Sequence, residues 1–254
     1  MEDWCSIWAV FLAGLASSFV GTMIGGGGLL SIPILIFLGV PPQVAIATDR
    51  FAGIAAAAAA LYRYARAGKV AWRYVPVFCL LSVVGALIGS TMLIRVEPEI
   101  LQPVIAGILL AFLPVLLLKR DLGVSAGEVT QRQVRWGLLL YFLVQVFSGF
   151  FHGGTGTIIF FILMAFLGLT IVEVAATQML PFITLAITSS ILFAWNGLID
   201  FQVAMILMVG GALGGNLGAR FAVLHGERWV RRLFVLMVVA SAAMLVLRSV
   251  SAAT

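Results

Sequence analysis

The sequence predicts an all-α polytopic membrane protein, with about eight long transmembrane helices and two short broken or re-entrant ones in an inverted-topology tandem repeat. Three observations carry this: the composition, the placement of the charges, and a self-similarity at a fixed offset. Of the 254 residues 63% are apolar and 10% charged, where soluble domains run at roughly half and a quarter. Mean hydropathy is +1.17. A water-soluble chain of this length could not hide so much apolar surface, so the excess must face lipid. No Lys or Arg precedes Arg50, and none lies between Arg135 and Arg220. Those stretches hold runs longer than the ~20 apolar residues of a spanning helix. A closed barrel would alternate polar and apolar residues, whereas these runs are continuous and rich in Leu, Ala and Ile.

Long apolar segments fall at 5–23, 42–62, 74–94, 99–118, 134–151, 171–195, 200–222 and 229–249. The first follows Met1-Glu2-Asp3 without the basic region of a secretory signal, so it is expected to remain as a helix. Two shorter pieces, 29–38 and 157–167, each cover about half of a ~30 Å hydrocarbon layer at 1.5 Å per residue. Each follows a glycine cluster, Gly25-Gly26-Gly27-Gly28 or Gly153-Gly154-Thr155-Gly156. Unwound backbone at membrane depth is tolerated only against protein or a watery cavity.

The charged loops orient the chain. The 62–73 connection carries Arg63, Arg66, Lys69 and Arg73 with no acid, and the 119–135 and 220–232 regions are also basic. All three are expected in the cytoplasm, with the uncharged-to-acidic 196–200 loop and both termini outside. The same pattern accounts for the net charge of +5 without a nucleic-acid partner. Cys5 and Cys79 read as free thiols.

Sliding the chain by 129 residues places Gly39, Ala47 and Thr48 on Gly168, Ala176 and Thr177, and Gly85 and Gly89 on Gly214 and Gly218. Gly68, in the most basic loop, falls on Gly197, in an uncharged one. Equivalent loops on opposite sides of the membrane define an inverted repeat, common among secondary transporters. The expected division is a first repeat at 1–120, a cytoplasmic linker at 121–133 and a second repeat at 134–254.

These motifs resemble a known family. The 25–28 glycines, Pro33, Gly39-Val40-Pro41, Ala47-Thr48 and the 214–220 stretch GGNLGAR are similar to the TauE/SafE (sulfite exporter, TSUP) transporters. The resemblance covers essentially the whole chain. It implies transport of small sulfur-containing oxyanions, sulfite or organosulfonates, with export expected and an ion gradient as the usual drive. The second half departs from the pattern, with Thr155 among its glycines and no proline equivalent to Pro33.

Consecutive glycines ahead of a helix expose backbone N–H groups at the positive end of a helix dipole, a site for an anion. The expected binding set is Gly25, Gly26, Gly27, Gly28, Thr48, His152, Gly153, Gly154, Thr155, Gly156, Thr177, Gln178 and Asn216. Asp49 and His152 are the candidates for coupling to a proton or sodium ion, since ionisable groups within apolar segments are costly. Asp49-Arg50 could also be a simple pair near a helix end. Glu173 and Arg220 lie near segment ends, where snorkelling to the interface suffices. Gly85, Gly89, Gly210, Gly214 and Gly218 read as close-packing positions. No zinc, phosphate-loop or dinucleotide motif appears, so neither enzyme activity nor a cofactor or metal is expected. The alternatives are an anion channel or passive pore, or a transporter of another small organic anion.

Overall fold

The computed structural model describes residues 4–95 and 129–251, and the described residues are helical with short connections. Helix α1 (Trp4–Ile24) ends at the first glycine cluster, and α2 (Gly28–Phe37) restarts beyond it. The long helices α3 (Pro42–Arg66) and α4 (Val75–Arg95) follow. Then follow α5 (Gln131–Phe150), the short α6 (Thr155–Leu167), α7 (Ile171–Trp195) and α8 (Phe201–Ser251), which is broken at Gly226. The apolar segment at 99–118 lies outside the described residues.

Among the described residues five stretches are long and apolar enough to cross a bilayer: Ser6–Ile24, Pro42–Arg66, Val75–Arg95, Ile171–Trp195 and Phe201–Val230. Helix α5 is 20 residues long but opens on the polar QRQVR and carries buried Gln145 and Ser148, which keeps it out of that group. The segment expected at 229–249 runs on as the continuation of α8 past Gly226. Both short helices are real, with 10 residues in α2 and 13 in α6, about 15 and 20 Å of rise.

Local chemistry sets the ends. Gly25 and Gly26 take φ of +67° and +105°, conformations that turn the chain out of α1 and that side chains disfavour. Thr170 and Glu173 close a capping box at the start of α7, with Thr170 N donating to Glu173 Oε2 at 2.8 Å. Glu173 therefore serves as a cap rather than merely reaching for the interface.

Helix α1 packs along α8, and α4 along α5, so among the described residues the first helix of each half lies against the last helix of the other. Glycine makes both contacts possible. A Cβ on Gly85 would sit 2.7–2.8 Å from the backbone at Gln145 and Val146, and one on Gly214 would strike the carbonyl of Leu15. The close-packing reading of these positions holds.

Two hydrogen bonds tie the loops to the long helices. Thr48 Oγ1 in α3 accepts from Asp200 N at 3.0 Å, and Thr177 Oγ1 in α7 accepts from Ala71 N at 2.9 Å. In both bonds the members stand 129 residues from their counterparts. Asp200 lies beside the N-terminal part of α3. The 67–74 connection leaves the other end of that helix, where Lys69 pairs with Glu227 at 3.7 Å. Thr48 and Arg66 are about 27 Å apart along the helix axis, so these two loops lie at opposite ends.

Candidate functional site

The chain break between α5 and α6 lies against the middle of α3. Helix α5 ends at Phe150 with an extended Phe151 after it, so its last carbonyls have no helical partner. Arg50 takes them. Its Nη1 donates to Gly149 O and to Ser189 Oγ, each at 3.0 Å, and its Nη2 donates to Ser148 O. A cation at a helix C-terminus also meets the negative end of the dipole. The Arg50 side chain is fully buried, and its Nε alone lacks a partner. Ser90 Oγ supports the same end of α5, lying within hydrogen-bond distance of Gly149 O at 3.2 Å and of Ser189 Oγ at 2.7 Å.

Arg50 also determines the state of His152. Its Nη2 lies 3.1 Å from His152 Nδ1. Guanidinium can only donate, so Nδ1 is the accepting nitrogen and the ring proton stays on Nε2. That proton points to Asp49 Oδ2, 2.8 Å away. A neutral imidazole thus bridges a carboxylate and a guanidinium that are adjacent in sequence and do not touch each other. The arrangement balances two buried charges while spanning both halves of the chain. An unpaired charge at this depth would be costly.

The glycine clusters meet here too. A Cβ on Gly25 would fall 2.7 Å from Gly156 Cα, and one on Gly156 would fall 2.6 Å from Gly25 Cα, so the two backbones touch. A Cβ on Gly28 would sit 3.0 Å from His152 Nε2. Gly154 caps α6 in the left-handed region at φ +84°, and Thr155 Oγ1 donates to His152 O at 3.0 Å, which closes the turn.

Two cavities flank the Asp49–His152 bond. The first, of about 80 Å³, is bounded by Ser17, Ser18, Thr22, Ser31 and Asp49, with Gly27 and Gly28 in its wall. The second, of about 120 Å³, is bounded by Gly25 to Gly28, Gln145, Ser148, His152, Thr155, Gly156 and Gln178, with Phe160, Phe182 and Leu185 on its apolar side. The Ser148 hydroxyl is buried and has no hydrogen-bond partner. Behind Gln178 runs a directed chain. Gln145 Nε2 donates to Ser82 Oγ and to Tyr141 Oη (2.7 Å), and Tyr141 Oη donates to Gln178 Oε1 at 2.8 Å. With its oxygen occupied, Gln178 has its amide N–H groups left to offer.

Of the residues expected at a site, Gly25 to Gly28, His152, Thr155, Gly156 and Gln178 come together around the second cavity, and Asp49 around the first. Gly153 and Gly154 form the buried turn ahead of α6 without lining either space. Thr48, Thr177 and Asn216 lie elsewhere. The two threonines accept from the loops, and Asn216 Oδ1 accepts from Arg63 Nε at 2.8 Å in an exposed pair. Sequence reasoning passed over Gln145, Ser148 and Tyr141, and left Arg50 evenly divided between a functional ionisable group and a simple pair with Asp49. The available signal for Arg50 was its depth, eight residues inside α3 with no acidic residue one turn away.

Comparison with known proteins follows the same lines. The family model described as "Sulfite exporter TauE/SafE" matches residues 10–245. A "Probable membrane transporter protein" of Haemophilus influenzae is 28% identical over 228 residues, covering 90% of this chain and 89% of its own. One of Xylella fastidiosa with the same description is 30% identical over 243 residues, 93% of each chain. The "Probable membrane transporter protein YfcA" of Escherichia coli K12 is 22% identical over 227 residues, 89% of this chain and 84% of its own. No solved structure matches.

Proposed function

This chain belongs to the sulfite exporter TauE/SafE family of membrane transporters, and from that premise we propose that it exports small sulfur-containing oxyanions, sulfite or organosulfonates, held in the second cavity. The observation that carries the proposal is the convergence of both glycine breaks on one space, with Gly25 and Gly156 in backbone contact. Leu29 N, Leu30 N and Thr157 N turn back to Gly26 O, Gly27 O and Gly154 O, which leaves Gly28 N of α2 and Thr155 N and Gly156 N of α6 at the positive ends of two helix dipoles. Gln178 and the unpartnered Ser148 hydroxyl add donors without a fixed cation among the cavity's lining residues, while the one ring proton of His152 is committed to Asp49. Weak, multi-point neutral donors suit a carrier that must also release its cargo. Thr48, Thr177 and Asn216 are left out of this donor set because they do not line the cavity.

Alternating access is read as a rocking of two inverted repeats, at 1–120 and 134–254, joined by a cytoplasmic linker at 121–133. The reciprocal Thr48–Asp200 and Thr177–Ala71 bonds support that division, as does the placement of the 67–74 and 196–200 loops at opposite ends of α3. Coupling to a proton or sodium ion is assigned to Asp49 and His152, whose bond lies at the junction of the halves. A bacterial cytoplasmic membrane fits export. An inside-negative potential drives an anion outward with about 2.3 kcal/mol per charge per 100 mV.

The test is flux into proteoliposomes for sulfite, organosulfonates, sulfate and carboxylates, with and without a pH gradient. Saturable flux of sulfite or an organosulfonate is expected. Flux that rises linearly with concentration marks a pore, and flux confined to carboxylates moves the cargo to another class of anion.

A further inference from the structure

The two cavities have opposite polarity, although the repeat relates them. Asp49 of the first corresponds at an offset of 129 to Gln178 of the second, and Ser17 at an offset of 128 to Gln145. In the second cavity the directed chain through Tyr141 leaves amide protons on Gln178. In the first, three of the four lining hydroxyls direct their protons away. Ser17 Oγ donates to Gly14 O (3.3 Å), Thr22 Oγ1 to Ser18 O (2.8 Å) and Ser31 Oγ to Gly27 O (3.4 Å), all within or just ahead of their own helices. A hydroxyl has one proton, so each presents only lone pairs to the space it lines. Asp49 is buried and uses Oδ2 for His152, which leaves Oδ1 to the cavity. Its neighbour Arg50 is turned the other way, toward the end of α5.

We propose that the first cavity is a sodium site, with the Asp49 carboxylate and the Ser17, Thr22 and Ser31 hydroxyls as its oxygen ligands. Oxygen-only donors select a hard cation. A single carboxylate, its charge already shared with Arg50 through His152, among neutral hydroxyls suits a monovalent ion, whereas calcium sites draw on several carboxylates. A proton would need Asp49 alone and would gain nothing from three hydroxyls whose lone pairs face the same space. This names the coupling ion of the transporter proposed above. It rests on that reading for its role only, since sodium binding can be measured without any cargo.

The experiment is thermal unfolding of the purified, detergent-solubilised full chain, titrated with sodium chloride at constant ionic strength against choline chloride. A saturable rise in melting temperature is expected with sodium and not with potassium or choline. Asp49→Asn should abolish the rise. Ser17→Ala and Ser31→Ala keep the carboxylate and the fold, and each should raise the half-saturating sodium concentration about tenfold. An equal rise with choline, a rise that persists in Asp49→Asn, or half-saturation unchanged in both serine variants would overturn the proposal. So would a shift reproduced by acidification to which sodium adds nothing, which makes Asp49 a proton site. Failure of the flux panel with an intact sodium response would reject the cargo and leave the cation site standing.

Discussion

Replacing Arg50 tests whether the buried charges are held as a balanced set. Arg50→Met installs the residue found 129 positions later, Met179, so an apolar side chain of similar length already suits the equivalent place in α7. The substitution removes four contacts, to Ser148 O, Gly149 O, Ser189 Oγ and His152 Nδ1. Gly149 O and Ser189 Oγ keep Ser90 as a partner, so the larger loss is electrostatic. Asp49 becomes a buried carboxylate whose counter-charge has gone, and breaking a buried pair on one side costs about 3–5 kcal/mol. For a chain of this size each kcal/mol moves the melting temperature by roughly 2–4 °C, so a fall of about 6–20 °C is expected. Removing both charges should be far milder. Asp49→Asn retains an oxygen to accept from His152 Nε2, and Arg50→Met with Asp49→Asn should recover most of the loss. The assay is thermal unfolding of the four proteins of the cycle in one detergent at constant salt. A double variant as unstable as Arg50→Met alone would refute charge balance and leave capping of the α5 carbonyls as the function of Arg50.

Four further outcomes follow from the same geometry. Gly28→Ala places a methyl 3.0 Å from His152 Nε2, against a ring held by Asp49 and Arg50, and should weaken anion binding; Gly85→Ala presses on the backbone of α5 and should lower stability while flux per folded molecule is retained. Thr48→Val and Thr177→Val each strand one backbone N–H, and both should lose about 1–3 kcal/mol of stability with anion affinity unchanged; a large affinity loss in either would return these hydroxyls to the binding set. His152→Gln, which removes the imidazole proton held by Asp49, should change the half-saturating sodium concentration more than it weakens anion binding, and an unaltered sodium response removes His152 from coupling. Single cysteines at positions 68 and 197, in a chain lacking Cys5 and Cys79, should react with an impermeant reagent from opposite sides; labelling of both from one side would sink the inverted repeat.

Much of this molecule is readable from its residues in order. Hydropathy marks the spans because the cost of a polar group in lipid is paid residue by residue, and consecutive glycines mark the two breaks because they supply positive φ and free N–H groups locally. The offset of 129 picked out Thr48 and Thr177 as a matched pair, and the structure holds them in matched bonds with Asp200 and Ala71. Their chemistry was misjudged. A hydroxyl's partner is set by the loop folded against it, which lies more than a hundred residues away in both cases. Arg50 shows the same limit more sharply, since the carbonyls it caps and the imidazole it orients come from the region 98–102 residues further on. The polarity of the cavities is likewise a tertiary property. Serine, threonine and glutamine each donate and accept, and only the packed structure decides which lone pairs and which protons face the space between the helices.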